Sequence, residues 1–223
     1  MTRPVVDLHT PRGCVATSVV RNATFATMAL SVLLAGCGSV QPPRYHSLMP
    51  APSSTARLMA AAGPLAWEVL PVAVPAGVDQ PQWVVRTVDG SLAVLEQERW
   101  IAPLGEEVRA AVTDRLTQVI GAPAASAAPG KRWRIRIEVH RFDSSPGREA
   151  RVEATWTLAS DAEAAAPLRC RGEFVQPLAA TSYLALAKGH QQAASELADA
   201  IAGALKPAAA GQAATCTGRA GQG

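Results

Sequence analysis

Apolar and polar residues alternate over three stretches in the second half of the chain. Trp133, Ile135, Ile137 and Val139 are separated by Arg134, Arg136, Glu138 and His140. Val152, Ala154, Trp156 and Leu158 alternate with Arg151, Glu153, Thr155 and Thr157. Leu168, Cys170, Gly172 and Phe174 interleave with Arg169, Arg171 and Glu173. A period of two sends successive side chains to opposite faces, so each stretch predicts a strand with one buried and one wet face. Ser145-Pro146-Gly147 supplies the first turn and Asp161 to Pro167 a looser second one, which together predict an antiparallel meander.

The period changes elsewhere. Leu104, Val108, Val112, Leu116 and Ile120 recur every four residues, one face of an amphipathic helix over 104–120. Pro103 suits its first turn, Glu106 and Glu107 complement the dipole there, and Gly121 stands where a helix stops. A last helix is predicted from Ser182 to Leu205, with Ala194, Leu197, Ile201 and Leu205 on one side and Lys206-Pro207 as its end. Residues 66–74 predict a first strand, placed at an edge or a bulge by Pro71. Trp83–Val88 and Leu92–Leu95 flank Asp89-Gly90, a hairpin signal because both turn positions tolerate positive φ. Two helices and five or six strands each need a partner for their apolar faces. The expected fold is an α/β (α+β) two-layer sandwich, a mostly antiparallel sheet with both helices packed on one face.

The chain ends read differently. Residues 22–36 are an apolar run behind Arg12 and Arg21, too short to span a bilayer and of the length of a signal-peptide apolar region. The run closes in Leu34-Ala35-Gly36-Cys37, which resembles the lipobox of bacterial lipoproteins; the thiol of Cys37 would take the lipid after removal of 1–36. Gly38 rather than Asp follows, and by resemblance to Gram-negative lipoprotein sorting this implies the periplasmic leaflet of the outer membrane. Residues 37–63, rich in Pro, Ser and Ala, read as a lipidated flexible tether, 64–206 as the folded domain, and 207–223 as a flexible tail.

Charge and reactive residues narrow the function further. The formal charge is +3, but removal of 1–36 leaves 18 basic against 17 acidic residues, which gives no electrostatic reason for a nucleic-acid partner. Cys14 leaves with the leader and Cys37 carries lipid. The remaining pair, Cys170 and Cys216, would either form a bridge in an oxidising compartment or stand as a buried thiol and a loose tail residue. Without a CxxC pair or a Cys/His cluster, no metal or other cofactor is expected beyond the covalent lipid. The G-x-S-x-G, H-E-x-x-H and phosphate-loop patterns are missing too, so the chain reads as a non-enzyme. His46 falls in the tether, His140 on the wet sheet face and His190 on the last helix. Glu106 with Glu107, and Glu96 with Glu98, read as helix-start and strand-face charges. The mixed-charge meander face is either a solvated surface or a docking surface, and open sheet edges leave room for a homo-oligomer.

Two segments carry a family resemblance. Residues 69–86, V-L-P-V-A-V-P-A-G-V-D-Q-P-Q-W-V-V-R, and residues 96–104, E-Q-E-R-W-I-A-P-L, resemble matched segments of the ABC-type transport auxiliary lipoproteins (PqiC-like, from paraquat-inducible systems). The similarity covers roughly 37–206. It implies an α/β sandwich and a non-enzymatic outer-membrane accessory that docks an MCE-domain protein of a system moving lipids between membranes. Asp79, Pro81, Gln82, Arg99, Trp100 and Pro103 are the implied partner-contact residues; the alternative is structural, with Pro81 and Pro103 shaping turns and Trp100 closing the core beneath the first helix. Val78-Asp79-Gln80 departs from the family's leucine-aspartate-arginine, and Glu96-Gln97-Glu98 lacks its aromatic before Arg99. A periplasmic lipid carrier and an envelope-integrity lipoprotein unrelated to transport are the alternatives.

Overall fold

The computed structural model describes residues 41–50, 63, 65–125, 132–161 and 166–216. The segment read as a leader (1–36), Cys37 as the expected lipid acceptor, most of the expected tether and the end of the tail lie outside them.

The meander forms as β5 (Arg132–Ser145), β6 (Glu149–Ser160) and β7 (Leu168–Pro177), paired antiparallel in that order. Ile135, Ile137, Val139, Val152, Ala154, Trp156, Leu158, Cys170 and Phe174 all point inward and are buried. A register shift between Val139 and Arg141 leaves both His140 and Arg141 outside and moves the buried set to Phe142 and Ser144. Such a bulge inserts an extra residue and reverses the inward parity beyond it. Gly147 takes φ +71° in the β5–β6 turn, a conformation that favours glycine. The edge strand β2 (Ala66–Val69) pairs parallel with β5. Beyond Pro71 the chain still follows β5, where Ala73 N–H donates to Ile137 O and Val139 N–H to Ala73 O.

A second sheet has the order β1 (Arg44–His46), β4 (Leu92–Trp100), β3 (Gln82–Arg86). The β3–β4 hairpin turns at Asp89-Gly90, as its sequence predicts. The Thr87 hydroxyl, with the Ser91 N–H and hydroxyl, donates to Asp89 and holds its carboxyl down at about 2, and Gly90 takes φ +88°. β1 runs parallel to the end of β4. It lies inside the segment read as tether, and the next turn of chain buries Leu48 to 1% exposure. The reading of 37–63 as flexible therefore does not hold for Arg44 to Met49.

Helix α1 (Leu104–Ile120) starts at Pro103 and ends at Gly121, whose N–H donates to Thr117 O. All five residues of its predicted stripe are buried. Helix α2 (Tyr183–Ala209) starts at Ser182, whose hydroxyl accepts from Ala185 N–H. It continues two residues past the expected stop at Pro207. A proline this near a terminus forfeits a single N–H bond, and Ala210 N–H to Lys206 O with Gln212 N–H to Pro207 O closes the end. At Gly189 the helix approaches β6 so closely that a Cβ would stand 3.0 Å from both Ala150 Cβ and Leu178 Cδ2. The inner faces of both helices and of the strands share one continuous core. The result is a two-layer α+β sandwich, mostly antiparallel, with its strands divided between a four-stranded and a three-stranded sheet.

Candidate functional site

The site arises where β4 changes partners. Along β3 the pairing runs regularly to Trp83 opposite Leu95, then jumps to Gln82 opposite Arg99, so Glu96 to Glu98 bulge away from β3. The end of β4 is then taken up by β1. Trp100 N–H donates to Pro81 O at 3.1 Å and Ile101 N–H to His46 O at 2.9 Å, drawing the loops before β3 and before α1 together. Between them opens a pocket of about 470 Å³. Asp79, Pro81, Arg99, Trp100 and Pro103 line it, so five of the six residues implied by the family resemblance meet in one place. Gln82 stands behind it on β3, opposite Arg99.

Their exposure separates them. Asp79, Pro81 and Pro103 face solvent, and Arg99 is half-buried with its Nε donating to Glu96 O at 3.2 Å. Trp100 is only 3% exposed, with its ring 4.5 Å from Trp83 and edge-on to Phe142. Most of the indole belongs to the core, and little of it is left for a partner. Tyr45 and Ile101 complete the rim; at 57% and 61% exposed they are large apolar surfaces turned outward.

Tyr45 reaches the rim because a strap, residues 44–49, is clamped by two buried carboxylates. Glu98, 3% exposed, accepts from the Arg44 guanidinium and from His46 Nε2, the latter at 2.6 Å. Glu107, 4% exposed, accepts from the Ser47 hydroxyl at 2.8 Å and from Leu48 N–H at 2.7 Å. A carboxylate out of water is costly unless its oxygens are satisfied; Glu98 is met by a guanidinium and a histidine ring, Glu107 by a hydroxyl and a backbone N–H. On the other side Gln191 Nε2 donates to Ser47 O at 2.9 Å. Glu98 is thus no mere strand-face charge, Glu107 more than a dipole partner, and His46 is held rather than solvated. Glu106 does behave as a surface charge, pairing with Arg109 one turn on.

A second polar cluster lies inside the core. His190 is fully buried, its ring stacked on Phe142 at 4.0 Å and its Nε2 2.8 Å from Ser144 Oγ, which also accepts from Trp83 Nε1 at 2.9 Å. Burial pushes the imidazole down to about 3, so it is neutral. The serine–histidine pair has the spacing of a nucleophile and base, but at 1% and 0% exposure the hydroxyl has no access to substrate. Sequence reasoning missed this cluster, because its two members are 46 residues apart and Ser144 comes after the bulge.

On the outer face of the meander the charges pair across strands. Arg151 bridges Glu149 and Glu173, Arg171 meets Glu153, and Arg134 reaches Glu68 and Asp161. The Arg171 hydrogen bond lowers the Glu153 carboxyl. Cys170 on β7 is joined by a disulfide to Cys216, so the tail is pinned at that point. Among the described residues no group of His, Cys, Asp or Glu could hold a metal, and no helix is long and apolar enough to cross a membrane.

Comparison with known proteins places this architecture. No curated protein matches the chain. Of the solved structures, an uncharacterised protein superposes with a TM-score of 0.58 at 18% identity, covering 73% of this chain and 97% of its own. Protein XCC0632 from Xanthomonas campestris gives 0.50 at 20% identity, covering 70% of this chain and 89% of its own. At such identities the likeness establishes the fold alone. The sequence profile of one family matches residues 46–202, starting within the clamped strap and taking in the pocket, both helices and the meander. The chain therefore belongs to the ABC-type transport auxiliary lipoprotein component family.

Proposed function

We propose that the protein is a non-enzymatic accessory lipoprotein, anchored by lipid on Cys37 in the periplasmic leaflet of the outer membrane. Its role in this reading is to dock the MCE-domain protein of an intermembrane system that transports lipids or other hydrophobic molecules. The observation that supports it best is the meeting of Asp79, Pro81, Arg99 and Pro103 around one open pocket in a chain of a transport-auxiliary family. A solvent-facing pocket with apolar walls and one charge of each sign suits a protein partner that inserts an apolar side chain between polar contacts. The paired charges of the meander face offer less, since they already satisfy one another.

The test is crosslinking in intact envelopes followed by affinity capture and identification of the bound protein. An MCE-domain protein is expected from the wild type, and Asp79→Ala with Arg99→Ala should reduce its recovery while thermal unfolding stays unchanged. Undiminished recovery from that folded double variant would remove the pocket from the role. Palmitate-analogue labelling that disappears in Cys37→Ser tests the anchor separately.

A further inference from the structure

We infer that the strap of residues 44–49 is a mooring clamp that holds the docking pocket close to the membrane, so that the partner is met by its membrane-proximal end. The inference rests on lipid attachment at Cys37 and goes beyond it by fixing a distance. Were the whole of 37–63 slack, its 27 residues would let the folded domain range up to ~100 Å from its anchor at ~3.6 Å per residue. The clamp shortens the leash to the six residues between Cys37 and Arg44, seven Cα–Cα steps with a reach of at most ~25 Å.

The clamp is built for holding. Two buried carboxylates grip Arg44, His46, Ser47 and the Leu48 amide, and the Leu48 side chain is sunk to 1% exposure. Tyr45, between the gripped residues, forms part of the pocket wall. The clamp and the docking site are thus one piece of structure. A partner element that stops more than ~25 Å short of the bilayer, plus its own length of contact, does not reach the pocket.

The full-length lipoprotein in vesicles tests this with a fluorophore attached to the variant Ile101→Cys and acceptor lipids in the bilayer. Energy transfer is expected to be strong in the otherwise wild-type protein. It should fall by about half or more when ten Gly/Ser residues are inserted after Gly38, which adds up to ~35 Å of reach and leaves the clamp intact. Leu48→Asp, which attacks the clamp without altering Glu98 or Glu107, should lower transfer and speed amide exchange over residues 44–49. Transfer indifferent to the insertion, or fast exchange of residues 44–49 in the membrane-bound wild type, would overturn the clamp. Palmitate-analogue labelling separates the two ideas: labelled protein with slack behaviour defeats the clamp alone, and unlabelled protein defeats the anchor and the clamp together.

Discussion

Individual residues carry two measurable consequences. His190 is surrounded by uncharged groups, stacked on Phe142, near Trp83 and Trp100, and hydrogen-bonded to Ser144. Its imidazole is depressed from 6.5 to about 3 in the folded state, so the unfolded chain binds the proton first as pH falls. Stability is therefore complete above the unfolded pKa and declines below it, by about 1.4 kcal/mol per pH unit from this group alone. Urea unfolding at pH 7.0 and 5.5 should show a drop of about 1 kcal/mol that His190→Gln abolishes; an equal drop in the variant would assign it to other groups. The second consequence concerns two neighbours in the resemblance motif. Trp100→Ala should cost about 3–5 kcal/mol, as removal of a buried aromatic does, whereas Arg99→Ala, on the surface, should stay within about 0.5 kcal/mol. Chemical denaturation of the pair distinguishes core from rim. The sequence motif named both residues together, but it could not tell them apart, because the burial of Trp100 depends on Trp83 and Phe142 arriving from other strands.

At the scale of elements, legibility followed length and regularity. The meander and both helices repeat a period for long enough to be read, and their inward residues were identified individually. β1 was not legible: three residues hold no period, and what fixes them is pairing with β4 and a glutamate, Glu98, more than 50 positions away. The parity change at Val139 was equally hidden, since a bulge is defined by its partner strand. The close contact of α2 with the sheet came from neither period. It depends on Gly189 facing Ala150, and Gly189→Leu should destabilise the fold by about 1–3 kcal/mol, the usual range for an overpacked interface. The thermal midpoint of that variant checks it, and an unchanged or raised midpoint would mean that α2 can lift without loss, the helix-propensity gain of about 1 kcal/mol then prevailing.

At the scale of the whole molecule, the folded body holds both the chain that enters it at residues 44–49 and the chain that leaves it at Cys216. The incoming chain is gripped by ionic and hydrogen-bonded contacts at Glu98 and Glu107, and the outgoing chain by the Cys170–Cys216 disulfide. The ties differ in kind, and the difference predicts their behaviour. A covalent closure across 46 positions restricts the unfolded chain and contributes up to about 4 kcal/mol on the loop-entropy account. That contribution persists in an oxidising compartment, where such bonds survive. Reduction, or Cys216→Ser, should therefore lower the thermal midpoint by several degrees while amide exchange over residues 44–49 stays as slow as before. The strap meets β4, α1 and Gln191 of α2, whereas the disulfide is made on β7 at the far edge of the other sheet. If breaking the disulfide also freed the strap, the two ends would be coupled through the core, and the distance set at the membrane would depend on redox state. The separate placement of the ties argues for independence: the C-terminal tie supplies stability, and the N-terminal tie supplies position.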